Sequence, residues 1–380
     1  MSDIHPSPFA DPQRLGDESD AAPVDAGMPP SGRMRRWPLA AVVVIGLTVA
    51  ACLVIPVWLR GPAPSFRQIG RPFIGRSGLI DAVAVGQLDG RTIAVSGGGV
   101  NDEGPLQVWD LTVGKPLGPP LGAHDATVLS VALGELNGRT IAASSTGDGL
   151  VRIWDLATGE RLGDPLIGTG VPVAVGQLNG KTIAVSPRDG NVELWDLAAA
   201  KRIGNPLIGH TGQVYSVAIG QLSGKTIAVS GGHDGTVRMW DLAAGKELGD
   251  PLVGHKGYVF SVAIGQLDGR TIAVSGGKDG TVRVWDLTTG EQLGSPLTGH
   301  TGDVFSVAIG QLDGRTIAVS GGKDSTVRVW DLTTGEQLGD PITGHTDLVH
   351  SVAVGQLNGR TIAVSGGWDD TVRVWDLGAR

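Results

Sequence analysis

Residues 254–287 read GHKGYVFSVAIGQLDGRTIAVSGGKDGTVRVWDL, and this stretch predicts the repeating unit of the fold. Runs of β-branched and aromatic residues alternate in it with glycine-containing turns, which is the pattern of short antiparallel strands. Asp268-Gly269 is the signal of a type I′ hairpin turn, because both central residues of that turn need a positive φ. The stretch and the residues up to Pro296 predict four strands: Tyr258 to Ile264, Thr271 to Val274, Thr281 to Trp285, and a fourth that begins with Glu291 to Leu293.

The same unit recurs along the chain. Trp-Asp pairs occur seven times, with gaps of 45, 41, 45, 45, 45 and 45 residues, and a second marker, Gly-Gln-Leu-Asp-Gly-Arg-Thr with its close variants, also occurs seven times. A fixed period of this length indicates a repeat architecture. The Trp-Asp pairs begin at Trp109, Trp154, Trp195, Trp240, Trp285, Trp330 and Trp375. The second marker begins at Gly86, Gly134, Gly176, Gly220, Gly265, Gly310 and Gly355.

The composition favours strands and turns. Glycine makes up 61 of the 380 residues, and glycine this frequent disfavours long helices. The hydrophobic content of 41% argues against a disordered chain. The single cysteine excludes a disulfide framework and a multi-cysteine metal site, and the formal net charge of -8 excludes a broadly basic nucleic-acid binder. We therefore expect an all-β protein that does not bind nucleic acid.

With Gly-His before the first strand and Trp-Asp at the end of the third, the repeats resemble the WD-repeat β-propeller family over residues 66–380. The resemblance implies a seven-bladed β-propeller of four-stranded antiparallel blades, and we expect it to be monomeric. The Gly-His pairs begin at Gly209, Gly254, Gly299 and Gly344, and Gly122-Ala123-His124 is a variant.

The start of the propeller is predicted to complete its last blade. Only four residues follow Asp376, so the last repeat has no fourth strand of its own. Residues 66–73 (FRQIGRPF) resemble residues 335–342 (GEQLGDPI), which are a predicted fourth strand. We expect residues 66–76 to close the last blade, an arrangement that avoids an open sheet edge.

Residues 37–59 carry no charge, and a helix of that length spans about 34 Å, enough to cross a bilayer. We interpret this segment as a transmembrane helix (a signal anchor), residues 1–36 as a disordered N-terminal tail, and residues 60–65 as a linker. Arg33, Arg35 and Arg36 lie next to the segment and favour an N-terminus inside the cell. The prediction is a single-pass protein of the cell membrane with an extracytoplasmic propeller.

An alternative concerns Cys52. Residues 49–52, Val-Ala-Ala-Cys, match a lipoprotein cleavage box behind a basic run and an apolar stretch. A lipid anchor at Cys52 would make the protein a lipoprotein-type scaffold for envelope assembly. Against this alternative, residues 53–59 remain apolar after the cysteine.

Five repeats share one spacing: a histidine, a serine 20 residues later, an aspartate 4 residues after that, and a tryptophan 6 residues further on. The pattern is compatible with a Ser-His-Asp hydrolase triad. The resemblance instead implies a structural tetrad of buried, mutually hydrogen-bonded side chains. Five copies favour the tetrad, because an enzyme needs one nucleophile whereas every blade needs the same brace. The sets are His124/Ser144/Asp148/Trp154, His210/Ser230/Asp234/Trp240, His255/Ser275/Asp279/Trp285, His300/Ser320/Asp324/Trp330 and His345/Ser365/Asp369/Trp375.

The repeats that end at Trp109 and Trp195 lack the histidine, and Arg76 and Thr169 stand in its place. We expect those two blades to be the softest. Histidines placed one per blade cannot converge on one metal ion, so we expect no metal and no cofactor. Gly220 to Thr226 is one residue too short for a phosphate-binding loop, and it leads into a strand.

The loops predicted at one end of the propeller, the top face, vary between repeats, whereas those at the other end are nearly uniform. The resemblance implies that this top face is formed by the loops before the first strands and by the loops between the second and third strands. Loops that vary in sequence favour a functional role for the face that carries them. We therefore expect a protein or peptide partner at top-face aromatic and cationic residues. Tyr215, Phe260 and Phe305 could alternatively begin their strands and pack locally. The predicted residues are Tyr215, His233, Tyr258, Lys278, Phe260, Phe305, Lys323, His350 and Trp368.

The function predicted from the sequence is thus a non-catalytic, membrane-tethered scaffold that binds its partner on the top face. The competing class is an enzyme with a site in the central channel. Such an enzyme would need a strongly perturbed acid or base that faces the channel, and no candidate outside the repeated positions stands out in the sequence. Propellers host many functions, so the fold alone does not decide between these classes.

Overall fold

The computed structural model describes residues 65–75, 78–99, 104–122, 126–167 and 172–378. The predicted tail (1–36), the predicted membrane helix (37–59) with Cys52, and the predicted linker except Ser65 lie outside these ranges. The described ranges also leave out His124, and they leave out Arg76 and Thr169, which take the place of the histidine in their repeats. Within the described ranges, no helix is both long enough and apolar enough to cross a membrane.

The described residues form seven antiparallel sheets, which we number blades 1 to 7 in chain order, and this confirms the predicted all-β, seven-bladed propeller. In blades 1 to 6 the strands pair in sequence order from the first to the fourth. The strands are Arg67–Gln68 and Phe73–Ile74 (both in blade 7); Ile80–Leu88, Arg91–Gly98, Gln107–Asp110 and Lys115–Pro116 (blade 1); Val128–Leu136, Arg139–Thr146, Leu150–Asp155 and Leu166–Ile167 (blade 2); Ala174–Leu178, Lys181–Arg188, Asn191–Asp196 and Lys201–Leu207 (blade 3); Val214–Leu222, Lys225–Gly232, Thr236–Asp241, Lys246–Glu247 and Leu252–Val253 (blade 4); Val259–Leu267, Arg270–Gly277, Thr281–Asp286 and Leu297–Thr298 (blade 5); Val304–Leu312, Arg315–Gly322, Val327–Asp331 and Gln337–Ile342 (blade 6); and Val349–Leu357, Arg360–Gly367 and Thr371–Asp376 (blade 7).

Blade 7 takes its outer strand from the beginning of the propeller. Arg67–Gln68 lies antiparallel to the end of the last strand, with Arg67 opposite Asp376, and Phe73–Ile74 pairs with the beginning of the same strand. At the centre of the ring, the first strand of blade 7 packs against the first strand of blade 1. The ring is therefore closed both at its centre and at its rim.

Two features of the second sequence marker have a backbone cause. Asp268 and Gly269 have φ values of 49° and 77°, as the predicted two-residue hairpin turn requires. Gly265 lies in the first strand of blade 5, where a Cβ atom would come within 2.8 Å of Ile309 Cγ2 in blade 6. The glycine thus allows the first strands of neighbouring blades to approach each other closely.

The hydrophobic core lies between blades. Each of seven clusters among the described residues combines side chains of two neighbouring blades. Val274 of blade 5, for example, packs in one cluster with Val304 and Trp330 of blade 6, and Val274 and Val304 are fully buried. Burying such a side chain contributes about 1.5–3 kcal/mol relative to leaving it exposed, so a blade depends on both of its neighbours.

Hydroxyl groups also join neighbouring blades near the centre. Ser261 Oγ in blade 5 accepts the N–H of Val307 in blade 6 at 3.0 Å. At the equivalent position blades 1 and 3 carry Ala82 and Pro172, which have no hydroxyl. The junctions between blades 1 and 2 and between blades 3 and 4 therefore lack this bond. The other serines that make it are Ser130, Ser216, Ser306 and Ser351.

The fourth strand of blade 5 differs from the prediction that it begins at residues 291–293. Gln292 forms only an isolated bridge with Trp285, and the continuous strand is Leu297–Thr298. Residues 294–296 leave the ladder between these points, and Pro296 has no N–H to donate. In blade 6 the corresponding residues form a bulge within Gln337–Ile342.

Candidate functional site

The tetrad of blade 5 shows the geometry of the repeated His, Ser, Asp and Trp. The indole N–H of Trp285 donates to Ser275 Oγ at 2.8 Å, and Ser275 Oγ lies 2.7 Å from His255 Nε2. His255 Nδ1 lies 3.0 Å from Asp279 Oδ1. Because a carboxylate only accepts, Nδ1 is assigned the proton, and the serine hydroxyl then donates to Nε2. The four side chains link the second and third strands to the loop before the first strand.

Three further blades bring the same four side chains together. The Trp–Ser distance is 2.8 Å in all three, the Ser–His distance is 2.7 or 2.8 Å, and the His–Asp distance is 2.9 or 3.0 Å. The sets are His210/Ser230/Asp234/Trp240 in blade 4, His300/Ser320/Asp324/Trp330 in blade 6, and His345/Ser365/Asp369/Trp375 in blade 7.

Blade 2 is described except for its histidine, since His124 lies outside the described residues. The indole N–H of Trp154 donates to Ser144 Oγ at 3.0 Å. Asp148 accepts hydrogen bonds from the Thr146 hydroxyl and from Arg152, whose Nη2 lies 2.8 Å away. The serine, the tryptophan and the aspartate thus occupy the positions that the spacing predicts.

The serines of the four described tetrads are placed for structure and not for nucleophilic attack. Ser230, Ser275, Ser320 and Ser365 are all 0% exposed, so a substrate cannot reach their hydroxyl groups. Each hydroxyl is also engaged on both sides, by an indole N–H and by an imidazole nitrogen. A hydrolase serine needs an open face towards its substrate, and none of these four has one.

Hydrogen bonding sets the charge states of the tetrads. Burial raises the pKa of Asp234, but hydrogen bonds from the Thr211 N–H and from His210 outweigh it and lower the pKa to about 2. Burial is likewise outweighed by hydrogen bonds at Asp279, Asp324 and Asp369, whose pKa values are also lowered. Burial lowers the pKa of His210 and His345 in spite of the neighbouring carboxylates. At neutral pH these two tetrads hold an ionised aspartate beside a neutral histidine.

Blade 1, which has no histidine, keeps part of the arrangement. The indole N–H of Trp109 donates to Ser96 Oγ at 2.9 Å. Phe73 stacks on the Trp109 ring with a centroid distance of 4.8 Å. A space of about 10 Å³ remains beside Ser96, Gln107 and Trp109, which is at most the volume of one ordered water. The phenylalanine of the closing strand thus covers the indole in this blade.

A row of ring side chains lies at the top face of blades 4 to 7, at the positions that the sequence predicts for partner binding. Each ring is within contact range of the next, at separations typical of interacting aromatic pairs. The row, which we call the ring row, runs His233, Tyr258, Tyr215, Phe260, Phe305, His350, Trp368, with successive centroid distances of 4.1, 5.6, 5.5, 5.4, 5.5 and 5.7 Å.

Burial divides the nine predicted partner-binding residues. Tyr215, Phe260 and His350 are only 8%, 8% and 7% exposed, so they offer almost no surface to a partner. For Tyr215 and Phe260 the structure favours the alternative of local packing at the start of the first strand. The members that solvent reaches are His233 and Lys323, which are exposed, and Tyr258, Lys278, Phe305 and Trp368, which are partly exposed.

Asp81 is a site residue that the sequence analysis missed. It is 5% exposed in the first strand of blade 1, and its Oδ1 accepts the Trp368 indole N–H at 3.0 Å. His350 Nδ1 donates to the Asp81 backbone carbonyl at 2.8 Å and lies 3.8 Å from Oδ1. Burial raises the pKa of Asp81, although His350 and Trp368 oppose the shift. Asp81 therefore anchors the end of the ring row across the junction of blades 7 and 1.

A signal for Asp81 is present in the sequence. Asp81 occupies the second position of a first strand, where blades 2 and 4 to 7 carry leucine, aromatic or histidine side chains. A charged residue at a buried repeat position is rarely tolerated without a partner. Its partners lie more than 260 residues away, so only the closed ring identifies them.

The opposite, bottom face carries a repeated ion pair. In blade 6, Arg315 Nη1 in the second strand lies 3.2 Å from Asp331 Oδ2 of the Trp-Asp pair. Asp331 Oδ1 also accepts the backbone N–H of Thr333 at 2.9 Å, which holds the turn after the third strand. The Arg and Lys of the second marker and the Asp of Trp-Asp thus act together. The other pairs are Arg91–Asp110, Arg139–Asp155, Lys181–Asp196, Lys225–Asp241, Arg270–Asp286 and Arg360–Asp376.

A groove of about 740 Å³ lies at the bottom face between blades 2 and 3. Several of its polar side chains are engaged within the protein: the Thr182 hydroxyl donates to the Glu135 carbonyl at 2.8 Å, and Lys181 Nζ lies 2.9 Å from Asp196 Oδ2.

The described part of the chain shows neither a metal-ion site nor a phosphate-binding loop. Within it, no group of three or more His, Cys, Asp or Glu side chains could hold a metal ion. The segment from Gly220 to Thr226 is a hairpin between Val214–Leu222 and Lys225–Gly232, without the helix that a phosphate-binding loop requires. Lys225 Nζ instead lies 3.0 Å from Asp241 Oδ2.

Comparison with known proteins bears on the repeats directly. The family model described as WD domain, G-beta repeat matches residues 114–155, 201–241, 246–286, 290–331 and 336–376, which together make up more than half of the chain. The five matches end at the Trp-Asp pairs of the five repeats that have the histidine. A search of curated proteins returned no match to the chain. On the family match and the seven-bladed architecture, the chain belongs to the WD40 repeat family.

Proposed function

We propose that this protein is a non-catalytic, membrane-tethered scaffold that binds a protein or peptide partner through the top face of its propeller. The observation that carries the proposal is the ring row, in which buried rings support partly exposed ones. Tyr258 is stacked on His233 at 4.1 Å and lies under Lys278 Nζ, 4.7 Å from the ring centroid. Aromatic side chains flanked by cations are typical of the energetic centre of a protein interface.

The buried part of the row favours binding because it fixes the exposed part beforehand. Phe260 contacts Tyr258 edge to face at 5.9 Å and Phe305 at 5.4 Å. Trp368 is held by His350 on its face and by Asp81 at its indole N–H. Side chains that are already ordered lose little conformational entropy when a partner binds, which supports affinity.

Site-specific photo-crosslinking tests the top face. We would place a photoreactive phenylalanine analogue at Tyr258 in the full-length chain in its native membrane, with the same analogue at exposed Lys246 on the outer strand of blade 4 as the matched control. The proposal predicts a discrete crosslinked partner from position 258 and none from position 246. The partner, once identified, should bind Tyr258→Ala and Trp368→Ala variants at least tenfold more weakly, since each removes an aromatic anchor. Equal crosslinking from both positions would contradict the proposal.

The membrane tether rests on the 23 uncharged residues 37–59. We propose an uncleaved anchor with the propeller outside the cytoplasm, because Arg33, Arg35 and Arg36 precede the segment. Alkaline carbonate extraction tests it: the full chain should stay with the membrane, and a chain without residues 37–59 should be released. The intact mass of the mature protein distinguishes the lipid anchor at Cys52, since a lipoprotein would begin at that residue. Release of the full chain by carbonate would contradict both forms of the tether.

A further inference from the structure

The top-face loops of blades 5 to 7 carry charges whose sign changes along the ring row. In each of these blades a backbone hydrogen bond joins the loop between the second and third strands to the loop before the first strand. The Lys278 N–H donates to the Tyr258 carbonyl at 2.8 Å in blade 5, and the Trp368 N–H donates to the Leu348 carbonyl at 3.0 Å in blade 7. Charged side chains on these loops therefore lie close to the rings of the row.

The tetrad aspartates do not contribute to this pattern, because an arginine of the third strand lies beside each of them. In blade 5, Arg283 Nη2 lies 3.6 Å from Asp279 Oδ2. In blades 4, 6 and 7 the equivalent nitrogen–oxygen distances are 3.9, 3.6 and 3.7 Å. The remaining charges of the loops therefore decide the electrostatic potential of this part of the top face.

The remaining charges change from positive to negative between blade 5 and blade 7. Blade 5 carries two lysines, blade 6 one lysine and one aspartate, and blade 7 two aspartates. The ion pairs that the described residues of blades 5 and 7 form involve other side chains. Burial raises the pKa of Asp370, and the carboxylate of Asp369 adds to the shift, so a cation brought by a partner would stabilise the ionised form. The six residues are Lys256 and Lys278 in blade 5, Asp303 and Lys323 in blade 6, and Asp347 and Asp370 in blade 7.

Both ends hold their charge beside a partly exposed ring. At the blade 5 end, Lys278 Nζ lies 4.7 Å from the centroid of the Tyr258 ring. At the blade 7 end, Asp347 Oδ1 accepts the Leu348 N–H at 2.7 Å, and the carbonyl of Leu348 accepts the Trp368 N–H. The two exposed aromatic side chains of the row thus stand in environments of opposite charge.

The rings between the two ends set the length of the segment that could lie along them. Successive centroid distances are 5.9, 5.4, 5.5 and 5.7 Å along Tyr258, Phe260, Phe305, His350 and Trp368. An extended chain advances about 3.3–3.6 Å per residue, so a segment of about seven residues reaches from one charged end to the other.

We propose that the partner segment is an extended, bipolar peptide with carboxylate side chains over blade 5, lysine or arginine side chains over blade 7, and apolar or aromatic side chains between them. Asp347 and Asp370 would pair with the cations, and the lysines of blade 5 with the carboxylates. Tyr258, Phe305 and Trp368 would pack against the middle of the segment. The opposite charges of the two ends fix the direction of the segment, because reversal would place like charges together. This inference rests on the proposed function, since it specifies the chemistry of the partner that the ring row binds.

Peptide display on the full-length chain tests the inference. The chain, kept in mild detergent, would be panned with a library of random 12-residue peptides. Each enriched peptide would be synthesised, and its affinity measured by fluorescence polarisation. We expect the enriched peptides to carry Asp or Glu on one side of an apolar or aromatic core and Lys or Arg on the other. Their affinity should fall as salt is raised, since exposed charge pairs are screened.

Two substitutions assign the ends of the segment. Lys278→Glu should weaken the enriched peptides roughly three- to tenfold, and a peptide whose carboxylates are changed to lysine should bind this variant better than it binds the parent chain. Asp347→Asn keeps the acceptor for the Leu348 N–H but removes the charge, so it should weaken the peptides about two- to fivefold. Lys246→Glu and Asp340→Asn, on the outer strands of blades 4 and 6, are the matched controls and should leave the affinity unchanged.

The variant Tyr258→Ala separates failure of this inference from failure of the proposed function. Enriched peptides that need Tyr258 but lack the charge pattern, or that bind Lys278→Glu and Asp347→Asn as well as the parent chain, overturn the inference and leave the proposed function standing. Peptides that bind Tyr258→Ala as tightly as the parent chain occupy another surface, and this result contradicts both. A library from which no peptide is enriched contradicts both as well.

Discussion

Blades 4 to 7 and blades 1 to 3 follow one strand plan but are braced to different degrees. All four of the former contain a complete tetrad, whereas blades 1 and 3 have none and blade 2 is described without its histidine. The first strand of blade 3 is Ala174–Leu178, five residues, against nine in every other blade. The comparison indicates that the strand pattern alone suffices to form a blade, and we expect the tetrad to add rigidity to it.

The difference extends to function. The ring row lies entirely on blades 4 to 7, where tetrads fix the loops that carry it. In blade 3, where no tetrad forms, Ser186 Oγ, Glu193 Oε2 and Trp195 Nε1 have no hydrogen-bond partner in the described structure. We therefore expect the regular half to offer the more rigid surface.

The largest expected effect comes from opening the ring. A chain that begins at Gly78 lacks the strands that pair with Thr371–Asp376, so blade 7 of the regular half would end in an exposed third strand. We expect aggregation or loss of cooperative unfolding, measured by light scattering and by thermal unfolding with circular dichroism. If the truncated chain melts as the intact propeller does, the closing strand is not needed.

The next largest effect is expected from a substitution in a complete tetrad, compared with a substitution in blade 3, which has no tetrad. His255→Ala leaves Ser275 and Asp279 without their shared partner in a buried place, and we expect a loss of about 2–4 kcal/mol of unfolding free energy. Ser186→Ala in blade 3 removes a buried hydroxyl that bonds to no described residue, and we expect the unfolding free energy to be unchanged or raised. Urea unfolding measures both. An unchanged stability for His255→Ala, together with loss of a hydrolytic activity, would favour the triad interpretation.

Acid should weaken the regular half first. The folded pKa of His210 and of His345 lies below the unfolded value of about 6.5, so their contribution is present above that pH and is lost as the pH falls. Asp234 has a folded pKa of about 2, so its contribution of about 2 kcal/mol is lost between about pH 4 and 2. We expect the urea midpoint to fall from pH 7 to 5 and again below pH 4.

The stability contribution of Asp81 changes with pH in the opposite direction, so Asp81 serves as the control for this pH dependence. Burial raises its folded pKa, so its contribution is present at low pH and is lost as the pH rises through that value. Asp81→Asn should therefore leave the decline between pH 7 and 5 in place, while His345→Ala should reduce it. A midpoint that does not change between pH 7 and 5 in the parent chain would contradict the neutral, buried histidines.

The smallest effect concerns the hydroxyl bonds between blades. Ala82→Ser would supply the group that the junction of blades 1 and 2 lacks, with the N–H of Val131 as the equivalent donor. We expect a gain of about 0.5–1 kcal/mol, and a loss of similar size for Ser261→Ala at the junction of blades 5 and 6. Thermal unfolding of the two variants side by side measures the difference, and a loss in both would show that Ala82 has no room for the hydroxyl.

The sequence predicts most of the fold because its signals are local. The Asp268-Gly269 turn, the Trp-Asp period and the likeness of residues 66–73 to a fourth strand each depend on neighbouring residues. The tetrad side chains follow too, since one spacing recurs in five repeats. The fourth strand of blade 5 is predicted less well, because its pairing depends on a bulge that the pattern does not mark.

The top face is predicted only in part. The sequence places Tyr215, Phe260 and His350 near one another, but their burial depends on rings contributed by neighbouring blades. Asp81 meets Trp368 and His350 only after the ring closes, so no local pattern connects them. The missing hydrogen-bond partners of Ser186 Oγ and Glu193 Oε2 likewise become evident only when the hydrogen bonds of all blades are compared.

Hydrogen exchange resolved by mass spectrometry on the full-length chain tests the central claim that tetrads make blades 4 to 7 the rigid part. Peptides covering the second and third strands of each blade would be followed under native conditions at one pH. The account predicts that the amides of blades 4 to 7 exchange only through global unfolding, and that those of blades 1 and 3 exchange faster through local opening. Equal protection in all seven blades, or faster exchange in blades 4 to 7, would contradict it.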